Sequence, residues 1–161
     1  MSEENLVVIF MGSEKDYEVT KGIRKKLSDF DVPYEVHALS AHKLPNKVLS
    51  EVEKYDELEK NVIYIVVAGR SNALGPVISA NSINPVINCP PLGSFNEDIF
   101  SSLRMPSAVP CSTILVPENA ALHAVKILAQ KDDNLKEEYI NWRKELTESL
   151  VEKDRQLRGE L

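Results

Sequence analysis

Apolar residues along this chain fall into short unbroken runs separated by longer stretches in which they recur every three or four positions. Leu6-Val7-Val8-Ile9-Phe10 and Val62-Ile63-Tyr64-Ile65-Val66-Val67 are continuous and rich in β-branched side chains. A strand with one wet face would alternate, so these runs read as parallel strands covered on both faces. Residues 34–39 form a further strand-like run, and Pro85-Val86-Ile87-Asn88 and Thr113-Ile114-Leu115-Val116 are shorter candidates. Helical segments are expected between them at about 14–30, 45–59, 71–82, 95–104 and 118–130. This alternation predicts a three-layer, doubly wound α/β fold of the flavodoxin-like or Rossmann-like kind, with a five-stranded parallel sheet in the order 2-1-3-4-5. In that order the topological switch point lies between the first and third strands, where open α/β sheets bind ligands.

Residues 1–133 read as a single domain, with 105–112 (Met-Pro-Ser-Ala-Val-Pro-Cys-Ser) a stiff irregular linker inside it. From Asn134 to Leu161 the chain is highly charged yet carries Leu135, Tyr139, Trp142, Leu146, Leu150 and Leu157 at helical spacing. That apolar stripe predicts a C-terminal amphipathic helix. It either folds back on its own domain or docks on another subunit, and docking is the expectation.

Length and composition narrow the function classes. A chain of 161 residues with 43% hydrophobic and 27% charged residues fits one globular domain. A net charge of −6 argues against a general nucleic-acid or membrane-surface binder, which carries a basic face. No apolar run approaches the roughly 18 residues of a membrane span, and the N-terminus Met1-Ser2-Glu3-Glu4 is acidic where a signal peptide is basic. A cytoplasmic protein is expected. Cys89 and Cys111 lack metal-ligand spacing and read as buried thiols.

The residues able to carry chemistry sit in three loops that follow apolar strands. Ser40-Ala41-His42-Lys43 places an imidazole beside a cation, between a strand and Pro45, which fits a first helical turn. Histidine titrates near about 6.5 in an unperturbed setting, so it both gives and takes protons at neutral pH. His37, inside a strand, and His123, mid-helix, read as structural. In Gly12-Ser13 with Asp16 the glycine permits close backbone approach, a hydroxyl and helix amides suit phosphate oxygens, and the carboxylate suits ribose hydroxyls; a plain helix cap explains the same residues. Walker and G-x-G-x-x-G patterns are lacking, so nucleoside triphosphate or dinucleotide binding is not supported. Gly69-Arg70-Ser71-Asn72 either presents backbone amides to a carboxylate-like group or is a turn capped by Ser71 or Asn72. Lys43 and Arg70 offer positive charge to an anion or are solvated surface cations.

Met11-Gly12-Ser13 with Asp16, Ser40-Ala41-His42-Lys43 with Pro45, residues 68–72 with Gly75-Pro76, and Ser102-Leu103-Arg104-Met105-Pro106 together closely resemble the aminoimidazole ribonucleotide carboxylase family of purine biosynthesis. The similarity runs from about Leu6 to Gln130. Within that family the mutase branch typically reads Gly-Gly-Ala-Ala-His in the third loop and has arginine after the motif histidine. Here Gly69-Arg70-Ser71-Asn72-Ala73 and Lys43 depart from both, and resemble the branch that joins aminoimidazole ribonucleotide directly to carbon dioxide.

The resemblance implies a phosphoribosylaminoimidazole carboxylase, a carboxy-lyase using no ATP and neither cofactor nor metal. His42 would move the proton at the ring carbon. Ser13, Ser40 and Lys43 would hold phosphate and ribose oxygens, and Asp16 the ribose hydroxyls. Gly12 and Ala41 belong to the same binding loops, and Gly69, Arg70, Ser71 and Asn72 would wall the carbon dioxide pocket. It further implies a homo-octamer with sites where subunits meet, residues 89–110 with Pro90 and Pro91 closing a neighbour's pocket. No fused synthetase domain is expected in the 161 residues. The rivals are the mutase reaction on the same fold and a non-catalytic flavodoxin-like module that binds a phosphorylated ligand or partner protein.

Overall fold

The structure is a computed structural model that describes residues 4–91 and 96–159. Five strands, β1 (Asn5–Met11), β2 (Tyr34–Ala38), β3 (Asn61–Val67), β4 (Val86–Asn88) and β5 (Ser112–Thr113), form one parallel sheet in the order β2-β1-β3-β4-β5. This is the topology expected from the alternation of runs. The helices are α1 (Thr20–Asp29), α2 (Pro45–Asp56), α3 (Leu74–Asn81), α4 (Ile99–Leu103), α5 (Pro117–Leu128) and α6 (Asp133–Arg158). Among the described residues no helix is long and apolar enough to cross a membrane.

The continuous apolar strands bury both faces, and each face has its own core. Val7, Ile9, Met11, Ile63, Ile65 and Val67 face α1 and α5, meeting Ile23, Leu27, Ala121, Val125 and Leu128. Their neighbours in sequence, Leu6, Val8, Phe10, Val62, Tyr64 and Val66, face α2 and α3, meeting Val48, Val52 and Ile78. Each such side chain contributes about 1.5–3 kcal/mol when fully buried. Together they hold the central strands in a fixed register.

Four expected elements differ in detail, one being 95–104, where a 3-10 turn at Asn96–Asp98 precedes α4. The segment 14–30 is two elements: Glu14–Glu18 is a 3-10 turn, and α1 starts at Thr20, whose buried hydroxyl donates to the Tyr17 carbonyl at 2.7 Å. The expected strand 113–116 is cut to Ser112–Thr113, because after Ile114 the exposed Leu115 and Val116 leave the sheet and Pro117 opens α5. The segment 71–82 is helical only from Leu74, since Ser71 and Asn72 belong to a turn.

The apolar stripe of the tail divides. Asp132 caps α6, one carboxylate oxygen accepting from the Leu135 amide at 3.0 Å and the other from Asn5 Nδ2 at 2.7 Å. Leu135 is buried, and Tyr139 and Trp142 pack on Phe30 with ring centroids 5.9 and 5.6 Å away. The first half of α6 therefore folds back on its own domain. Further along, Leu146, Leu150, Val151 and Leu157 are exposed.

Asp132→Ala removes both the cap and the tie to β1. It is expected to cost about 1–2 kcal/mol in urea unfolding and to raise amide exchange in the first turn of α6. Unchanged stability would mean that aromatic packing alone seats the helix.

Candidate active site

β1, β2 and β3 end in line. Met11 lies opposite Ala38 on one side and Val67 on the other. Two bonds carry the pairing one step further: the Gly12 amide donates to the Val67 carbonyl at 3.0 Å, and the Leu39 amide to the Met11 carbonyl at 2.9 Å. Strands in a sheet are about 4.8 Å apart, so the loops that begin at Gly12, Ser40 and Gly69 leave the sheet side by side.

The first loop is a capped 3-10 turn. Ser13 is extended (φ −154°), and its hydroxyl accepts weakly from the Lys15 amide at 3.3 Å. Partial burial raises the Asp16 carboxyl above its ordinary range, opposed by a hydrogen bond from the Ser13 backbone and by the charge of Arg70. Arg70 comes from the third loop, so the first and third loops share one electrostatic field. The nearest atoms to a Cβ at Gly12 would be Ala68 Cβ at 3.5 Å, Ala68 Cα at 3.8 Å and Asp16 Oδ2 at 3.9 Å, ordinary contacts. The fold itself does not require glycine there.

In the second loop the Ser40 carbonyl accepts from the amides of Lys43 (3.2 Å) and Leu44 (2.8 Å), making a tight turn. Ala41 is the buried foot of this turn and belongs to the core under α2. His42 and Lys43 stand exposed above it.

The third loop is the most constrained. Arg70 adopts φ 62°, a left-handed conformation costing about 1 kcal/mol or more outside glycine. The Ala73 amide then turns back to the Ser71 carbonyl at 2.8 Å. Arg70 and Ser71 are exposed, whereas Asn72 is buried. The Asn72 side chain caps the turn, the alternative reading of this loop, and its polar atoms are engaged inside the protein. Oδ1 accepts from the Gly75 amide at 3.0 Å, while Nδ2 donates to Asn88 Oδ1 at 2.9 Å and to Ser102 Oγ at 3.0 Å. Its backbone amide donates to Ser101 Oγ at 2.9 Å. Asn72 shapes the loop, and Ser71 is its outward hydroxyl.

Asn88, Ser101 and the use made of Ser102 were not read as functional from the sequence. A usable signal did exist: an amide closing the apolar run Pro85-Val86-Ile87-Asn88, in a strand covered on both faces, needs polar partners. Among the residues expected to close a neighbour's pocket, Pro90 is buried and Pro91 lies against Gly69 of the same chain, its Cγ 3.2 Å from where a Cβ on Gly69 would stand. Residues 92–95 of that segment lie outside the described residues.

The remaining histidines and thiols lie elsewhere. His37 stacks on Phe10 at 5.0 Å and meets Tyr55 Oη at 2.6 Å, and His123 is half-buried on α5. Cys89 is buried, which pushes its thiol up to about 12, and Cys111 is partly exposed. A cavity lined by Asn5, Phe30, Asp31 and Glu138 opens at the opposite end of the sheet.

The AIR carboxylase family model matches residues 6–149. The chain belongs to the AIR carboxylase family. A phosphoribosylaminoimidazole carboxylase of Archaeoglobus fulgidus is 40% identical over 153 residues, covering 94% of this chain and 84% of its own. The crystal structure of Treponema denticola PurE superposes with a TM-score of 0.92 at 35% identity, covering 95% of this chain and 98% of that one. The bifunctional phosphoribosylaminoimidazole carboxylase/phosphoribosylaminoimidazole succinocarboxamide synthetase of Drosophila melanogaster is 45% identical over 128 residues. This chain matches about 30% of the length of that bifunctional protein.

Because the fold tolerates a methyl group at Gly12, Gly12→Ala is expected to unfold at the wild-type denaturant concentration or slightly above it. If the bare backbone there is kept for a ligand, the same variant should lose ribonucleotide affinity by calorimetry. Wild-type affinity would remove the first loop from the site.

Proposed function

We propose that this chain is a phosphoribosylaminoimidazole carboxylase of the carbon-dioxide-using branch, converting 5-aminoimidazole ribonucleotide and carbon dioxide reversibly to the 4-carboxy ribonucleotide. The observation that carries this reading is the registered ending of β1, β2 and β3, which lines up Gly12–Asp16, the exposed His42-Lys43 pair and the Gly69–Asn72 loop. The carboxylases of Archaeoglobus and Treponema, similar over nearly the whole chain, support it.

The aminoimidazole ring is an enamine-like nucleophile. Its ring carbon attacks the carbon of carbon dioxide, a C–C bond forms, and one C=O pair moves onto oxygen to give a carboxylate. The ring carbon is then tetrahedral and still carries its hydrogen. His42 takes that proton, the C–H electrons return to the ring, and aromaticity is restored; the same imidazole returns the proton in decarboxylation. Ser13, Ser40 and Lys43 hold the phosphate and nearby ribose oxygens, and Asp16 accepts from the ribose hydroxyls. Ser71 and the loop backbone wall the carboxylate pocket. Holding ring and gas in contact supplies much of the rate, because it replaces a bimolecular encounter by a fixed geometry.

His42 and Lys43 are exposed in the single chain, so catalysis in a dry site calls for a cover. Assembly into a homo-octamer with sites at subunit contacts meets that need, and the exposed Leu146, Leu150 and Val151 of α6 suit a subunit contact. A cytoplasmic location fits a purine biosynthetic enzyme.

An ultraviolet assay of the isolated chain without ATP tests the reading. Aminoimidazole ribonucleotide with carbon dioxide should be consumed; consumption of the N-carboxylated isomer alone would make the protein a mutase, and binding without turnover a ligand-binding module. His42→Asn should lower kcat about a hundredfold or more while ribonucleotide still binds. Near-normal turnover would take His42 out of the chemistry. Lys43→Ala should raise KM about tenfold or more through loss of a charge-assisted contact, and an unchanged KM would refute the phosphate assignment.

A further inference from the structure

Behind the third loop lies a polar cluster that the proposed chemistry does not use. Asn72 and Asn88 are 4% and 0% exposed, and Ser102 of α4 is 2% exposed. Their orientations are mutually determined. The Gly75 amide must meet an oxygen, which turns Asn72 Nδ2 toward Asn88 and Ser102. Asn88 must therefore present Oδ1, because a flipped amide would set two NH2 groups against each other. Asn88 Nδ2 is consequently a buried donor with no partner among the described residues. Gly75 makes room for this arrangement: a Cβ there would collide with Asn88 Oδ1.

An amide with an orphaned donor is a poor way to stabilise a core, since apolar groups of similar shape do as well or better. What the cluster does provide is geometry. It ties the third loop to the end of β4 through Asn88 and to α4 through Ser101 and Ser102. Ser101 in turn donates to the Asp98 carbonyl at 2.7 Å, and the Ser102 carbonyl accepts from Thr113 Oγ1 of β5 at 2.9 Å. Held this way, Arg70 keeps its left-handed backbone and Ser71 its tight turn.

We infer that Asn72, Asn88 and Ser102 form a positioning lock that holds Arg70 in its left-handed conformation and Ser71 in its outward-facing turn and makes the third loop and α4 move as one unit. None of the three is a catalytic residue. The effect on turnover rests on the carboxylase reading above, whereas the mechanical coupling does not.

The test uses the full-length protein. Asn88→Ala deletes the acceptor that faces Asn72, and Asn88→Asp keeps an oxygen there while replacing the orphaned NH2. In the absence of substrate, hydrogen exchange should rise for amides 70–75 and 99–103 together in Asn88→Ala and stay at the wild-type level in Asn88→Asp. With aminoimidazole ribonucleotide and carbon dioxide, Asn88→Ala should lose about tenfold to a hundredfold in kcat with KM for the ribonucleotide unchanged, and Asn88→Asp should recover most of that loss. Unchanged exchange, exchange confined to one segment, or a normal kcat in folded Asn88→Ala would overturn the lock. Should Asn88→Ala not fold, Ser102→Ala takes its place with the same expected results, and a normal kcat there would overturn it equally. A wild-type protein that turns over no substrate would sink the carboxylase reading, and the exchange data would still decide the lock.

Discussion

The candidate site depends on the paired register of β1 with its two neighbours. Met11 is level with both Ala38 and Val67, and the backbone bonds from Gly12 to Val67 and from Leu39 to Met11 extend that alignment past the strand ends. A parallel strand slipped by one residue would turn its side chains to the opposite face and exchange the two cores. The residues that bury the sheet thus also fix where the glycine, the imidazole and the strained third loop stand relative to one another. The division of apolar side chains, odd positions of β1 against α1 and α5 and even positions against α2 and α3, is what holds that register.

Much of this was legible in the chain. Unbroken β-branched runs declare strands covered on both faces, and alternation with helical segments implies parallel pairing and hence loops gathered at one edge. Gly12, His42 and Gly69 could be placed at that edge because each closely follows an apolar run. Their grouping followed from topology and needed no side-chain contact.

What was not legible depends on partners distant in sequence. The resemblance placed Asn72 in a pocket wall and the loop pattern offered it as a turn cap, but neither named its side-chain partners Asn88 and Ser102, 16 and 30 residues away. The tail showed one stripe, and only the position of Phe30 decides that Tyr139 and Trp142 pack inward while Leu146 and Leu150 do not. β5 ended early because Pro117 begins the next helix, leaving Leu115 and Val116 to cross from sheet to helix in the open. Local pattern reports burial well; it does not report which buried polar group answers which.

The central claim is that three loops brought level by the sheet constitute one catalytic site, and a structure of the protein with the carboxylated ribonucleotide bound tests it most directly. The account predicts the phosphate against Ser13 and Lys43, the carboxylate against the Gly69–Asn72 backbone, and an imidazole nitrogen of His42 within hydrogen-bonding reach of the carboxylated ring carbon. A nucleotide seated elsewhere, or a His42 ring turned out of reach of that carbon, would contradict it.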